Sequence, residues 1–223
     1  MADWPNTAAH LIAEFAASAE HAVEQRWIAL APGGRGRFDL PSTELVISTR
    51  CSKFVLLDEL TDDALDYDWL IICDDDVELG PGFVDLVIGL SERFDFALSQ
   101  PARTADSFTD HPLVQVMPGL LARRTRFVEI GPVICVRRDA MPLLLPFRDD
   151  GGMGWGLDFI WPVRMEDAGL RMGIVDAAPI AHRIRRPVSN YNHASAHRAM
   201  CALLAGERHL SIDDAFTVLE CYT

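Results

Sequence analysis

The stretch Asp68-Trp69-Leu70-Ile71-Ile72-Cys73-Asp74-Asp75-Asp76 is the segment that decides the expected fold. Its nearly unbroken apolar run predicts a strand that is covered on both faces, as in sheets that lie between helices. The run ends abruptly in three aspartates. Because neighbouring carboxylates repel one another and lose hydration beside a core, this position favours a site that receives a cation. The alternative is a solvated acidic loop in which the aspartates serve as turn or cap residues.

Patterns typical of strands and helices alternate on either side of this stretch. They predict an α/β fold with a mostly parallel sheet flanked by helices. Helices are expected over 7–25, 53–60, 83–90 and 159–168, and strands over 26–31, 44–48, 68–73, 94–99, 127–136, 172–175 and 180–184. The segment 190–223 is expected to form a helical tail. Because the 223 residues contain no flexible linker, we expect one domain, 1–223.

Composition excludes several classes of protein. The formal net charge of −13 disfavours a broad interface with a phosphate backbone, so nucleic acid is not an expected partner. No apolar run approaches the ~20 residues that span a bilayer, and the first residues do not resemble a secretory signal. We therefore expect a cytoplasmic protein without a membrane span. A basic island at Arg183, Arg185 and Arg186 suits a small anionic ligand, although solvated arginines on a loop are the alternative.

The three aspartates have the spacing of a metal site. Side chains alternate along a strand, so Asp74 and Asp76 are expected on one face and Asp75 on the other. Two carboxylates on one face provide hard oxygen ligands for Mg²⁺ or Mn²⁺, and phosphate oxygens and water take the remaining positions. In open α/β sheets the carboxyl ends of the strands are also where ligands bind.

The segment Tyr67 to Leu79 resembles the donor-site strand of nucleotide-sugar glycosyltransferases with the Rossmann-like GT-A fold, and Lys53 to Leu60 resembles the helix before it. The resemblance implies an Asp-x-Asp element that holds the divalent metal on a nucleoside-diphosphate sugar, here taken to be of the UDP type. By this resemblance Asp74 lies nearer the ribose and Asp76 is the firmer metal ligand. Asp75 and Lys53 join Asp74 as residues that bind the donor.

A second distinctive segment is Gly151-Gly152-Met153-Gly154-Trp155-Gly156-Leu157-Asp158. Its glycines indicate a loop with unusual backbone freedom that presents an aromatic ring and then a carboxylate. An indole face can stack on a sugar ring, and a carboxylate can bind or deprotonate an acceptor hydroxyl. The alternative is that Asp158 caps the following helix and Trp155 fills the core.

Together with Ser99-Gln100-Pro101, 125–133 and 174–182, this loop resembles a bacterial and plant family of uncharacterised glycosyltransferase-like proteins, over about 53–188. Gly-Trp-Gly before an acidic residue is also similar to the acceptor loop of some inverting galactosyl- and N-acetylgalactosaminyltransferases. The resemblance implies that Asp158 is the catalytic base. It also implies that Trp155, Gly156 and Glu129 bind the acceptor, a small molecule or a glycan.

His182 follows a strand and precedes the basic island. A lone histidine is more often structural, but many GT-A enzymes place a late histidine on the metal. The resemblance therefore implies that His182 completes the metal site with Asp74 and Asp76, while Arg183 and Arg185 hold the diphosphate.

These features together predict a metal-dependent, inverting glycosyltransferase whose donor-side part, 1–52, is short for a GT-A domain. Two alternatives remain open at this point. A nucleotidyltransferase would also use an aspartate-rich metal site at a strand end. A non-catalytic sugar-nucleotide-binding or scaffold protein would retain the fold without transfer. The sequence leaves the oligomeric state open.

Overall fold

The computed structural model describes residues 8–30, 42–49, 51–147, 153–185 and 192–223. In chain order its elements are α1 (Ala9–Ala16), β1 (Trp27–Leu30), β2 (Thr43–Ile47), α2 (Lys53–Leu60), β3 (Trp69–Cys73), α3 (Phe83–Arg93), β4 (Phe96–Arg103), β5 (Ala122–Thr125), β6 (Val133–Arg137), α4 (Met141–Leu144), α5 (Leu157–Asp167), β7 (Arg171–Ile180), α6 (His193–Gly206), α7 (Ile212–Ala215) and β8 (Val218–Tyr222). Short 3₁₀ turns lie at Ala64–Asp66 and Pro112–Val114. Gly151, Gly152 and Arg186 lie outside the described residues, as do the ends of several expected elements.

The expected α/β fold, a sheet flanked by helices, is confirmed with one correction to the sheet. A six-stranded sheet has the order β3-β6-β4-β7-β5-β8, and β1 and β2 form a separate parallel pair. Only β4 and β7 pair in parallel within the larger sheet, while its other neighbours are antiparallel. β3, β4, β7 and β8 nevertheless run in one direction, because β6 and β5 are inserted between them in the opposite direction. Hydrophobic patterning does not report strand direction, so the sequence could not show these insertions.

Hydrophobic clusters cover both faces of the sheet. On one face, α1 and α3 contribute Leu11, Phe15 and Val87, which pack with Val133 and Cys135 of β6. On the other face, α2, α4 and α5 pack against the alternate residues of β6. Because successive side chains of a strand point to opposite faces, β6 contributes to both clusters and is buried along most of its length.

Several expected elements differ from those observed. The expected helix 7–25 is helical only over Ala9–Ala16, and beyond it the backbone N–H groups of Ala19 and Glu20 donate to Asp85 instead of continuing the helix. Over 127–136 only the second half is a strand, since Pro132 has no N–H to donate to a ladder. The expected strand 172–175 is part of a longer strand, β7, which ends at Ile180, so the expected strand 180–184 does not form. The tail is helical over α6 and α7, as expected, but it ends in β8, whose Val-Leu-Glu-Cys-Tyr sequence suits a half-buried edge strand. None of the helices in the described ranges is long and apolar enough to cross a membrane.

One edge of the sheet collects the residues of interest. The carboxyl ends of β3, β4 and β7 lie at this edge because the three strands share a direction. The amino end of β6 lies there too, since β6 runs against them. The segments that follow Cys73, Arg103 and Ile180, and the segment that precedes Val133, therefore meet at one place.

Candidate functional site

The aspartate cluster begins where β3 leaves the sheet. The backbone N–H of Asp74 donates to the carbonyl of Pro132 at 2.8 Å, and the chain then turns at Asp75 and Asp76. The strand ends at Cys73, so its alternation does not extend through the aspartates. The expectation that Asp74 and Asp76 share one face, with Asp75 on the other, is therefore corrected: Asp75 and Asp76 share a cationic partner and Asp74 has a different one.

Lys53, the first residue of α2, forms an ion pair with Asp74. Both side chains are about one-third exposed, at 30% and 31%. Gly131 lies beside this pair: a Cβ added to it would be 3.5 Å from Nζ of Lys53 and 3.7 Å from Oδ2 of Asp74. The backbone at Gly131 thus forms one wall of the donor-side cluster, defined here as Lys53, Asp74, Asp75, Asp76, His182 and Arg185.

Asp76 is the most buried member of the triplet, with 14% of its side chain exposed. Its Oδ1 lies 3.4 Å from Nε2 of His182 and its Oδ2 lies 3.2 Å from Nε of Arg185. Arg185 also donates to Asp75. Burial pushes the pKa of Asp76 upward, but the hydrogen bond to His182 and the charges of His182 and Arg185 outweigh it, so the pKa lies below its usual value.

The backbone N–H and the backbone carbonyl of His182 both form hydrogen bonds. Its N–H donates to Oγ of Ser107 at 2.9 Å, and its carbonyl accepts the N–H of Phe108 at 2.8 Å. The Phe108 ring lies edge-on to the imidazole with 6.5 Å between centroids. The segment 104–108, which follows β4, therefore fixes where the imidazole stands relative to Asp76.

Arg183 does not reach the aspartate triplet. It forms ion pairs with Glu78 and Asp106, because a backbone bridge between Glu78 and Ala181 brings Glu78 beside Arg183. Of the two arginines expected to hold the diphosphate, only Arg185 forms ion pairs with the aspartate triplet.

The residues present fit a divalent ion only in part. Asp76 offers a carboxylate and His182 offers Nε2, an oxygen–nitrogen pair suited to Mn²⁺. Asp74 is paired with Lys53 instead, and the described part of the chain contains no group of three His, Cys, Asp or Glu side chains that could hold a metal. A divalent ion that arrives with a diphosphate needs few protein ligands, because phosphate oxygens and water complete its shell. The site therefore suits a metal carried on a nucleotide better than a metal alone.

Asp158 lies in the first turn of α5, directly after the loop around Trp155. Gly156 adopts a φ of +99°, which few side chains tolerate, and this turn directs the chain into the helix. Only 6% of Asp158 is exposed, and its Oδ1 has no hydrogen-bond partner among the described residues. Burial raises the pKa of Asp158 to about 7 against the lowering effect of nearby backbone N–H groups, including those of Gly156 and Phe159. The buried position is thus observed, but the cap role is not: Gly156 is the N-cap residue of α5, and no side chain of the described residues forms a cap hydrogen bond there.

Glu129 is a second buried carboxyl on this side of the site. It forms an ion pair with Arg103, and its backbone N–H donates to Oε1 of Gln100 at 2.5 Å. Burial raises the pKa of Glu129 to about 7, although the charge of Arg103 acts in the opposite direction; the charge of Asp158 adds to the rise. The two carboxyl groups expected on the acceptor side therefore interact electrostatically.

Trp155 is half-buried, and the alternative in which it fills the core is not observed. Its ring lies edge-on to that of His193 on α6, with 5.1 Å between centroids. A Cβ added to Gly156 would lie 3.2 Å from Cγ of Met200, also on α6. Helix α6 therefore packs over the loop that presents Trp155 and Gly156.

Arg103 and Gln100 are site residues that the sequence analysis did not single out for a role. Both lie on β4, whose residues are all buried. One feature of the sequence could have indicated them: a strand whose other residues are typical of a core carries Ser99, Gln100 and Arg103. Polar side chains in a buried strand need hydrogen-bond partners, so they mark a place where other segments contact the strand.

A cavity of about 360 Å³ lies elsewhere on the surface. It is lined by Glu24, Arg26, Ile28, Glu44, Leu45, Glu59 and Leu60. Glu59 and Leu60 end α2, whereas Lys53 begins it, so the cavity lies at the other end of this helix from the donor-side cluster. The chemically distinctive residues are therefore not in this cavity.

No protein-family model matches the chain, and no curated protein matches it in sequence. The resemblance to an uncharacterised bacterial and plant family gains no support from these comparisons. Among solved structures, the chain is similar to one described as "Crystal structure of GalNAc-T7 with UDP, GalNAc and Mn2+", with a TM-score of 0.47 and 12% sequence identity. The similarity covers 68% of this chain and 34% of that chain, so this chain spans about a third of that structure's length. No residue's role is transferred from it.

Proposed function

We propose that the chain is a glycosyltransferase that moves a sugar from a nucleoside-diphosphate sugar to an acceptor hydroxyl. One observation carries the proposal: an aspartate triplet, two cationic side chains and His182 meet at the carboxyl edge of an α/β sheet. Ligands of open α/β folds bind at this edge. A cluster with both cations and carboxylates suits a ligand that brings a diphosphate and a divalent ion together.

The donor diphosphate would lie beside Lys53 and Arg185. Both are part-exposed, with 30% and 25% of their side chains accessible, so both can exchange an aspartate for a phosphate oxygen. A guanidinium can bind phosphate in a bidentate manner, while a lysine acts as a compact charge. Asp74 would then be able to accept a hydrogen bond from a ribose hydroxyl, in agreement with the position near the ribose that the sequence resemblance implies for it.

Asp76 and His182 would hold Mn²⁺ or Mg²⁺ together with the nucleotide. The chemistry supplied by a divalent ion held there is neutralisation of the charge that develops on the departing diphosphate. Arg185 reinforces this effect from the protein side, because its guanidinium already lies 3.2 Å from Asp76.

On the acceptor side, Asp158 would act as the base. The acceptor oxygen bonds to the anomeric carbon, the bond from that carbon to the diphosphate oxygen breaks, and the hydroxyl proton passes to Asp158. The transition state has oxocarbenium character, as in glycoside hydrolysis. Attack from the face opposite the diphosphate inverts the anomeric configuration. A pKa of about 7 suits this role, since a general base works best when its pKa lies near the working pH.

Glu129, Trp155 and Gly156 would bind the acceptor. Trp155 is half-buried and lies in the loop that leads into Asp158, so a sugar ring stacked on it would place a hydroxyl near the carboxyl. Glu129, close enough to Asp158 for their charges to interact, would accept a second hydroxyl. Oδ1 of Asp158, which has no hydrogen-bond partner in the part of the chain that the structure describes, would accept a hydrogen bond from the acceptor hydroxyl.

The proposal is tested by melting the protein with UDP, ADP, GDP or CDP, each with and without Mn²⁺, and then by assaying nucleotide release from the matching sugar donors. A Mn²⁺-dependent rise in Tm with one nucleotide, followed by acceptor-stimulated release, supports the transferase. Binding without any turnover supports the scaffold alternative. Pyrophosphate release from a nucleoside triphosphate and a sugar phosphate supports a nucleotidyltransferase. No nucleotide-dependent shift at millimolar concentration contradicts all three.

A further inference from the structure

Arg103 is a buried cation at the carboxyl end of β4, with only 4% of its surface exposed. Its Nη1 donates to the carbonyl of Phe108 at 2.8 Å. Its Nη2 donates to the carbonyl of Gly131 at 2.7 Å and to the carboxylate of Glu129. A buried guanidinium persists only when it is paired and hydrogen-bonded, so these contacts fix the positions of three separate segments relative to one another.

Each of these segments carries or touches a residue of the candidate site. The N–H of Phe108 holds the carbonyl of His182, and Gly131 lies against the pair formed by Lys53 and Asp74. Glu129 interacts electrostatically with Asp158. One side chain thus joins the metal-binding histidine, the donor-side cluster and the acceptor-side carboxyls.

The hydrogen bond that Glu129 donates to Gln100 strengthens the same arrangement. Gln100 lies on β4 with Arg103, and its Oε1 accepts the N–H of Glu129 at 2.5 Å. Two side chains of the fully buried strand β4 therefore bind the backbone of 129–131: Gln100 accepts the N–H of Glu129, and Arg103 donates to the carbonyl of Gly131. The charged groups that act on Glu129 are Arg103, Asp158, Asp110 and His182.

We propose that Arg103 is a positioning residue that aligns the donor-side cluster with Asp158. It touches neither the donor nor the acceptor; it holds the 129–131 backbone beside Lys53 and, through Phe108, holds the imidazole of His182 toward Asp76. This inference rests on the proposed function, because the reaction that Arg103 serves is the sugar transfer proposed above.

A purely structural arginine is the competing explanation, and the chain offers a matched control for it. Arg123 on β5 is equally buried, at 2% exposed, and forms an ion pair with Asp176. Its remaining hydrogen bonds go to the carbonyls of Leu113 and Gln115, which belong neither to the donor-side cluster nor to the acceptor-side residues, although Gln115 lies beside the backbone of Arg103. Substitutions of Arg123 therefore report the loss of a buried, paired arginine whose own side-chain hydrogen bonds do not go to the donor and acceptor residues.

The test compares Arg103→Lys and Arg103→Gln with Arg123→Lys and Arg123→Gln, at a temperature where circular dichroism shows all variants folded. Release of the nucleoside diphosphate from the active sugar donor is measured against pH, and kcat and KM are obtained separately. We expect Arg103→Lys to lower kcat at least tenfold with a smaller change in KM for the donor. We expect the Arg123 variants to keep the wild-type kcat.

A spectroscopic readout complements the kinetics. In protein labelled with [¹³C]glutamate, the carboxyl resonance of Glu129, assigned with Glu129→Gln, is titrated in wild type, Arg103→Gln and Arg123→Gln. The pKa of Glu129 should rise in Arg103→Gln alone, because its buried cation is lost. If the Arg103 variants match the Arg123 variants in kcat and in this titration, Arg103 is structural and the inference is overturned. If wild type releases no nucleotide from any donor, the proposed function fails instead, and the positioning role fails with it.

Discussion

Asp76, which follows β3, and His182, which follows β7, face each other with 3.4 Å between Oδ1 and Nε2. Arg185 lies on the other carboxylate oxygen of Asp76, at 3.2 Å. This carboxylate is therefore shared between a histidine that can bind a metal and an arginine that can bind a phosphate. In the proposed function this relationship would couple metal binding to nucleotide binding at Asp76.

Asp76→Asn is expected to abolish the Mn²⁺-dependent stabilisation by the nucleotide, because an amide is a poor ligand for a divalent ion. At a ligand concentration of 100 Kd the wild type should gain about 2.7 kcal/mol from binding, and this gain should vanish. Thermal melts with and without Mn²⁺ measure it. Asp106→Asn is the control, since Asp106 is an exposed partner of Arg183 away from the triplet. Equal stabilisation of both variants would contradict the metal assignment.

Arg185→Gln is expected to raise the affinity for Mn²⁺ alone and to lower the affinity for the nucleoside diphosphate. The guanidinium neutralises Asp75 and Asp76 when no ligand is bound, so a metal must compete with it. The same guanidinium is the expected partner of the diphosphate. Calorimetry would measure the Kd of Mn²⁺ alone and the Kd of UDP in the presence of Mn²⁺. We expect the first Kd to fall and the second to rise, each by about tenfold, which corresponds to ~1.4 kcal/mol of binding free energy. Arg183→Gln should change neither, because Arg183 pairs with Glu78 and Asp106.

Asp158→Asn is expected to stabilise the protein at alkaline pH. A carboxyl whose pKa is raised in the folded state contributes stability that is complete below the unfolded pKa near 4 and is lost as pH rises through about 7. The asparagine variant does not lose it. The variant should therefore exceed wild type by roughly 2 to 4 kcal/mol at pH 8, at about 1.4 kcal/mol for each pKa unit, and the difference should shrink toward pH 4. Urea denaturation across this range tests the sign, and a constant difference would contradict it.

Gly154→Ala is expected to be more destabilising than its backbone angle alone would require. Gly154 has a φ of +72°, and a Cβ there would lie 2.3 Å from the Phe54 ring. Gly169 has a φ of +70° with nothing within 4 Å of its Cβ position, so Gly169→Ala isolates the backbone term. We expect about 1–2 kcal/mol for Gly169→Ala and a further 1–3 kcal/mol for Gly154→Ala. Similar free energies of unfolding for the two variants would show that the loop around Gly154 does not pack against Phe54 of α2.

Asp176→Ala is expected to lower the free energy of unfolding by about 3–5 kcal/mol, because it leaves the buried guanidinium of Arg123 without its anion. The carboxylate of Asp176 also accepts the N–H of Met117 at 2.8 Å, so the loop before β5 loses an anchor. Glu166→Ala removes the half-exposed partner of Arg126 and should change stability by less than about 1 kcal/mol. Chemical denaturation of both variants measures the difference.

Local patterns in the sequence were sufficient for several parts of the structure. Helical periodicity predicts the helix 53–60 at its observed bounds, and the apolar run before the triplet predicts a strand that is one residue longer than the observed one. The sequence does not predict β5, because two consecutive arginines in Ala122-Arg123-Arg124-Thr125 are typical of a surface segment. Arg123 is buried there only because Asp176, on the neighbouring strand, neutralises it. A sequence pattern contains no record of such a partner.

Two features follow from residues adjacent in the chain, and the sequence therefore establishes them without a structure: an acidic triplet follows an apolar strand, and a glycine-rich loop leads into Asp158. Which residues meet these two features depends on the tertiary structure. β6 and β5 run against the other strands, which brings Gly131 beside Lys53 and places Arg103 between Glu129 and the segment that holds His182. Contacts between distant segments depend on strand order and direction, and hydrophobic periodicity is the same for a strand in either direction.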